Sequence, residues 1–235
     1  VGRYKGRVHC WDVVNEVIGD DGNIRNSLWY RIIGEDYIEK AFTYASEADP
    51  EALLIYNDYS LPNPAKREGV VKMVKELQSK GIHIGGIGMQ GHYHLGDPSL
   101  EDVDASITAF AELGVQVMIT EMEITVLPVP SDDTGAEVSK RFEMKEWLNP
   151  YTDGLPDSVQ NILTNRYRDL FTLFRDHSEH IRRVTFWGVH DGVSWKNNWP
   201  VPGRTNHPLL FDRDGEPKPS FDAVMGVASS NRPIP

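Results

Sequence analysis

Short apolar runs rich in β-branched residues alternate along this chain with longer stretches in which apolar positions recur at helical spacing. The runs at about 8–14, 52–57, 84–89, 115–120 and 182–187 read as strands, and the stretches at about 36–48, 64–80, 99–113, 158–178 and 218–227 as helices. The second helix shows the period best: Val70, Val71, Val74 and Leu77 share one face, Pro62 and Pro64 precede it, and Gly81 follows. Strand and helix alternating in this way is the pattern of β/α units around a parallel sheet.

Five such units do not close a (β/α)8 TIM barrel, which needs eight and roughly 250 residues. Their number suits the last five units of one, strands 4–8; an open sheet is the other reading. The connection from Leu127 to Asp157 carries Pro128, Pro130, Pro150 and Pro156 and is too long for a simple turn. A short helix is expected inside it near Glu137–Trp147. No repeat or low-complexity tract divides the chain, so residues 1–235 are taken as one domain or part of one.

Composition narrows the function classes. With 40% hydrophobic and 25% charged residues the chain is that of an ordinary globular protein. No apolar run approaches the roughly 18 residues of a membrane span, and the N-terminus lacks a signal-peptide pattern, so membrane insertion is not expected. A net charge of −11 argues against nucleic acid or an anionic surface as partner and is neutral toward an uncharged polymer. The single cysteine, Cys10, excludes an intrachain disulfide and reads as a core thiol.

Against that background two glutamates stand out. Glu16, in Trp11-Asp12-Val13-Val14-Asn15-Glu16, and Glu121, in Val117-Met118-Ile119-Thr120-Glu121-Met122-Glu123, each close an apolar run. A carboxylate at the end of a buried strand is costly unless it is paired or working. Two facing carboxylates, one protonated and one ionised, are the equipment of glycoside hydrolysis. Asn57, Gln90, His92 and Trp187 also fall at strand ends, where barrel enzymes keep their sites. Each alone has a plainer reading as turn, core or packing residue; six on five successive strands do not.

Alternation within a strand puts Glu121 and Glu123 on one side, and Gln90, His92 and His94 together on another. Two carboxylates side by side repel unless a group lies between them, and His92 is the candidate. A metal site on His92 and His94 lacks a third ligand at a recognisable spacing. Tyr59, Tyr93, Trp187, Trp195 and Trp199 follow strand ends and could offer faces for sugar stacking, with simple packing as the alternative. Gly86-Ile87-Gly88-Met89-Gln90-Gly91 satisfies G-x-G-x-x-G, but no helix comes directly after it, so it is read as a chance match.

In combination these segments resemble glycoside hydrolase family 10, the endo-β-1,4-xylanases, over nearly the whole chain. The segment Trp11–Glu16 is similar to the family's acid/base segment, and Ile119-Thr120-Glu121-Met122-Glu123-Ile124 to its nucleophile segment. Tyr56-Asn57-Asp58-Tyr59, Gln90-Gly91-His92 and Trp187 to Trp195 match its segments after strands five, six and eight. The resemblance implies Glu16 as general acid/base, Glu121 as nucleophile, and Asn15 as partner of the sugar 2-hydroxyl. It also implies substrate contacts from Asn57, Tyr59, Gln90, His92, Trp187 and Trp195, with Glu123 supporting His92. Glu123 is a departure, because the family usually has an aspartate there, one methylene shorter.

The same resemblance implies retaining hydrolysis of xylan or xylo-oligosaccharides without cofactor or metal, in a secreted or cell-surface protein. An N-terminal segment with the first three strands is expected to complete the barrel. Two alternatives stay open: a non-catalytic xylan-binding fragment, and a β-1,4-glucanase on a related barrel.

Overall fold

A computed structural model of the chain describes residues 1–130 and 139–230. Its elements in order are β1 (Cys10–Asn15), α1 (Leu28–Ile33), α2 (Tyr37–Ala48), β2 (Leu53–Asp58), α3 (Pro64–Ser79), β3 (Gly86–Met89), β4 (His92–His94), α4 (Leu100–Ala111), β5 (Gln116–Thr125), α5 (Asp157–Asp176), β6 (Ile181–Phe186) and α6 (Pro219–Ser229). The expected strands and helices are all present, most within two residues of their predicted ends; the exception is β5, which runs five residues past its expected end to Thr125, so Glu121 lies within the strand instead of closing it. Helix α1 is an addition to them, although Ser27 caps it by accepting from the Tyr30 amide and Gly34 closes it. The helix expected at 137–147 begins outside the described residues; within them, only a 3-10 turn at Glu146–Leu148 forms, of which Leu148 alone is buried. Among the described residues no helix is long and apolar enough to cross a membrane.

The chain divides into two compact units. The first comprises residues 1–90, 101–120 and 179–184. Here β1, β2, β3 and the start of β5 pair in parallel, in that order, with Cys10 opposite Leu53, Ile55 opposite Gly86 and Gly86 opposite Gln116. The near-continuous apolar runs are explained by burial on both faces: Ile55, Ile87, Val117 and Ile119 are fully buried, as are Phe42, Val70, Val74, Ile107 and Phe110 from the helices. Helix α3 starts cleanly because Asn63 accepts from the Ala65 and Lys66 amides and Pro64 occupies a position needing no donor. One irregularity shapes the end of β1. The register shifts between Asp12 and Val14, so one extra residue is accommodated and Asn15 ends opposite Asn57 instead of Asp58.

The second unit comprises residues 91–100, 121–178 and 185–235. Strand β4 pairs in parallel with the end of β5, His92 opposite Glu123 and His94 opposite Thr125. Helices α5 and α6 pack against each other, joined by a bond from Arg175 to the Val227 carbonyl. Tyr167 anchors the interior by donating to the Pro208 carbonyl at 2.5 Å, and its ring packs with Phe171 and Phe186.

The region just after β3 departs from the sequence reading. Simple alternation puts Gln90, His92 and His94 on one continuous face, but Gly91 takes φ +82°, a conformation that strongly favours glycine, and breaks the run. The Gln90 amide still donates to the Asp58 carbonyl, continuing the ladder of the first unit, whereas the Gly91 carbonyl accepts from Glu123 in the second.

Candidate active site

In the first unit, Glu16 stands one residue beyond β1 with φ +56°, a left-handed backbone uncommon outside glycine and costing on the order of 1–3 kcal/mol. Its neighbours hold it there. Its amide donates to the Asn57 carbonyl at 2.9 Å, and its carbonyl accepts from Arg25 at 2.8 Å. The carboxylate is gripped at both oxygens, Oε1 by Gln90 at 3.2 Å and Oε2 by Arg25 at 3.4 Å, yet keeps 28% of its side chain exposed. Asn15 turns its carbonyl oxygen to two donors, Asn57 at 3.0 Å and Gln90 at 3.3 Å.

Asn57 does not present itself to a ligand. It is 2% exposed, its amide donates to Asn15 and its oxygen accepts from Thr120 at 2.6 Å, so it positions Asn15 from beneath. The close glycines explain how it fits: a Cβ on Gly88 would stand 2.5 Å from the Asn57 oxygen and 2.8 Å from a Thr120 methyl. The sequence that mimics a phosphate-binding loop is thus a strand thinned to admit an amide. Tyr59 is half-buried, with the Lys66 ammonium 3.3 Å from its ring centroid, which occupies one face of the ring.

Beneath Glu16 lies a buried polar cluster. Asp58, fully buried, accepts from Lys66 at 2.9 Å, from the Tyr59 amide at 2.8 Å and from the Tyr56 hydroxyl. Burial pushes the Asp58 carboxyl up to about 6, against the opposing pull of the Lys66 charge.

In the second unit, His92 bridges two carboxylates. Its Nε2 lies 3.2 Å from Glu121 and its Nδ1 2.9 Å from Glu123. The parallel register sets His92 opposite Glu123, and alternation along β5 brings Glu121 to the same face, as the sequence spacing predicts. Burial works against a charged ring, but the two carboxylates outweigh it and the His92 pKa is raised. Glu123 is wholly buried and saturated: besides His92 it accepts from Ser194 at 3.1 Å and from the Trp195 indole at 2.6 Å. The departure from aspartate is therefore accommodated without losing the histidine contact.

Trp195 meets the His92 ring edge to face at 5.3 Å and stacks on Trp199 at 4.9 Å, with Lys196 over both indoles. Burial lowers Lys196 to about 8. Trp187 is 49% exposed. Two of the aromatics read as candidate sugar platforms are not platforms: Tyr93 and Trp199 are buried and pack in the interior. Among the described residues no group of three or more potential metal ligands is gathered, and both His92 nitrogens face carboxylates.

Sequence reasoning missed Arg25. The loop that returns it to Glu16 is a small hairpin in which Ile18 pairs with Ile24 and the Gly19 amide donates to the Asn23 carbonyl. Glycines at 19 and 22 around Asp21 are a legible turn signal, but only the length of the turn aims Arg25 at the carboxylate.

Glu16, just beyond β1 and held by amide and guanidinium, and Glu121, within β5 and held by a histidine that it shares with Glu123, are carboxylates of the kind that glycoside hydrolysis employs. The model of the family "Glycosyl hydrolase family 10" matches residues 1–227, and the chain belongs to that family. It is 50% identical over 225 residues to an endo-1,4-beta-xylanase A of Xylanibacter ruminicola, covering 96% of this chain and 61% of that protein. An endo-1,4-beta-xylanase of Geobacillus stearothermophilus is 43% identical over 229 residues, 97% of this chain and 64% of its own length. Among solved structures, a GH10 endoxylanase retrieved from a sugarcane soil metagenome matches with TM-score 0.93 and 47% identity, over 96% of this chain and 66% of that one. The parallel strands are thus those of a (β/α)8 barrel family, and the chain spans about three-fifths of the length of these curated relatives, matching their C-terminal part.

Proposed function

We propose that the protein to which this chain belongs is a retaining endo-β-1,4-xylanase acting on internal bonds of xylan. Glu121 attacks the anomeric carbon as the glycosidic C–O bond breaks, and Glu16 gives its proton to the departing oxygen. Glu16 then takes a proton from water, whose oxygen displaces Glu121 from the anomeric carbon and restores both carboxyls. The observation that carries this reading is the bridging of Glu121 and Glu123 by His92: an ionised nucleophile beside a second carboxylate needs a cationic or donating group between them.

The remaining residues support the same assignment. Asn15, exposed and with its oxygen committed inward, is set to offer its NH2 to a sugar hydroxyl, and Trp187 and the free portion of Trp195 are the stacking surfaces. Asn57 and Glu123 serve as supports. No cofactor enters either step. In this reading residues 1–235 are strands 4–8 of the barrel, the other strands are supplied by sequence outside this chain as in the longer relatives, and the enzyme works outside the cell, where the polymer is.

The test uses the parent-length protein with Glu16→Ala and Glu121→Ala on 2,4-dinitrophenyl β-xylobioside, whose leaving group needs no proton. Azide is expected to rescue Glu16→Ala by about 10²-fold or more, giving the β-azide, and to yield no β-product from Glu121→Ala. Equal losses that azide leaves untouched would overturn the assignment. Faster release of sugar from carboxymethylcellulose than from xylan would point to the glucanase instead, and xylan binding without hydrolysis to the non-catalytic fragment.

A further inference from the structure

The two backbone amides immediately after Glu16 hang from a single side chain. The amides of Val17 and Ile18 both donate to the Tyr56 hydroxyl, each at 3.2 Å, and that hydroxyl donates its own proton to Asp58. Its two lone pairs and its one hydrogen are thus all used, in a fully buried position. Asp58 is fixed in turn by Lys66, itself fully buried on the first turn of α3 and also 3.5 Å from Asp20. The direction of the chain matters. A carboxylate on the far side leaves the tyrosine hydroxyl able only to accept from the two amides, so the turn that carries Glu16 is held from below by an acceptor of fixed polarity.

Alternation along β2 divides the labour. Asn57 faces Asn15, while Tyr56 and Asp58, of opposite parity, point to the other face of the strand. Neither Tyr56 nor Asp58 is in a position to touch a sugar. The left-handed conformation of Glu16 persists only if its surroundings over-determine it, and two of the amides that follow it end on this hydroxyl.

We propose that Tyr56, oriented by the buried Asp58–Lys66 pair, is a positioning residue that holds Glu16 in its proton-transfer conformation. This rests on the reading of Glu16 as acid/base. General acid catalysis matters in proportion to how poor the leaving group is, so loss of position has a signature that loss of scaffold lacks.

The experiment compares parent-length wild type, Tyr56→Phe, Asp58→Asn and Glu16→Ala on phenyl and 2,4-dinitrophenyl β-xylobiosides, with thermal unfolding measured alongside. In Asp58→Asn, Oδ1 keeps Lys66 and the Tyr59 amide, which turns the NH2 toward Tyr56; the hydroxyl then has to accept there and cannot serve both amides. Either variant that folds is a sufficient test. Expected is a loss of roughly tenfold or more in kcat/KM for the phenyl substrate and under about threefold for the dinitrophenyl one. Equal loss on both substrates, or none on either, would overturn the proposal. If Glu16→Ala itself shows no dependence on the leaving group, the acid/base reading fails, and that result is distinct from a failure of Tyr56 alone.

Discussion

At the scale of single residues, the polar groups of the candidate site rest on buried supports such as Asn57 and Glu123. Gly88 is the sharpest instance, because its missing side chain is the space into which Asn57 fits. Gly88→Ala would place a methyl 2.5 Å from the Asn57 oxygen, with strand backbone and Thr120 on the other side to resist relaxation. Overpacking of this kind costs typically about 1–3 kcal/mol, which lowers Tm by roughly 2–10 °C in a chain of this size. We expect that loss together with a rise in KM, since Asn57 orients Asn15; unfolding curves and kinetics on xylan check both. An unchanged Tm would show that Asn57 moves aside freely. The sequence announces Asn57 as functional from its strand-end position, yet does not tell a contact from a support. That distinction is one of burial, and burial at a strand end depends on neighbours contributed by β1, β3 and β5.

At the scale of elements, periodicity locates the strands and helices and fails where one residue is added or one backbone angle reversed. The extra residue in β1 changes which side chain faces Asn57, and nothing in Trp11–Glu16 marks it, since any of these residues can occupy a bulge. Gly91 is readable as a break, but simple alternation carried through Gln90, His92 and His94 passes over that signal. The short strand beyond it, β4, also carries a pH dependence. Burial, with Lys196 and Arg204 nearby, lowers His94 to about 4, against an ordinary value near 6.5. A group whose folded pKa is depressed in this way leaves the unfolded state binding more protons between the two values, so stability falls as pH drops from about 6.5 to about 4. His94→Gln removes that contribution. The wild type should therefore lose more Tm than the variant between pH 6.5 and 4.5, and parallel curves would refute the placement of His94 in a desolvated site.

At the scale of the whole molecule, the residues that do chemistry in the proposed reaction lie within this chain, while the chain covers 61–64% of its curated relatives. Strand count and motif order make that legible in the amino-acid sequence. Five β/α units and a match beginning at the acid/base segment both point to the later part of a barrel. The half-exposed strands β1 and β6, against the buried β2 and β3, agree with it. Residues 1–235 expressed alone are expected to release little sugar from xylan, and the same residues joined to an N-terminal portion of family length to release it readily. Full activity and a single sharp unfolding transition from the short form would contradict this.

The saturation of Glu123 has a consequence for the conditions the site tolerates. Dissolved ions weaken charge interactions that reach water, over a Debye length of about 8 Å at physiological ionic strength, and hardly touch those sealed from it. Glu123 has no exposure, and His92 and Glu121 keep only 13% and 14% of theirs. The balance of charge around Glu121, the proposed nucleophile, is therefore internal to the protein, and brine or fresh water outside leaves it nearly the same.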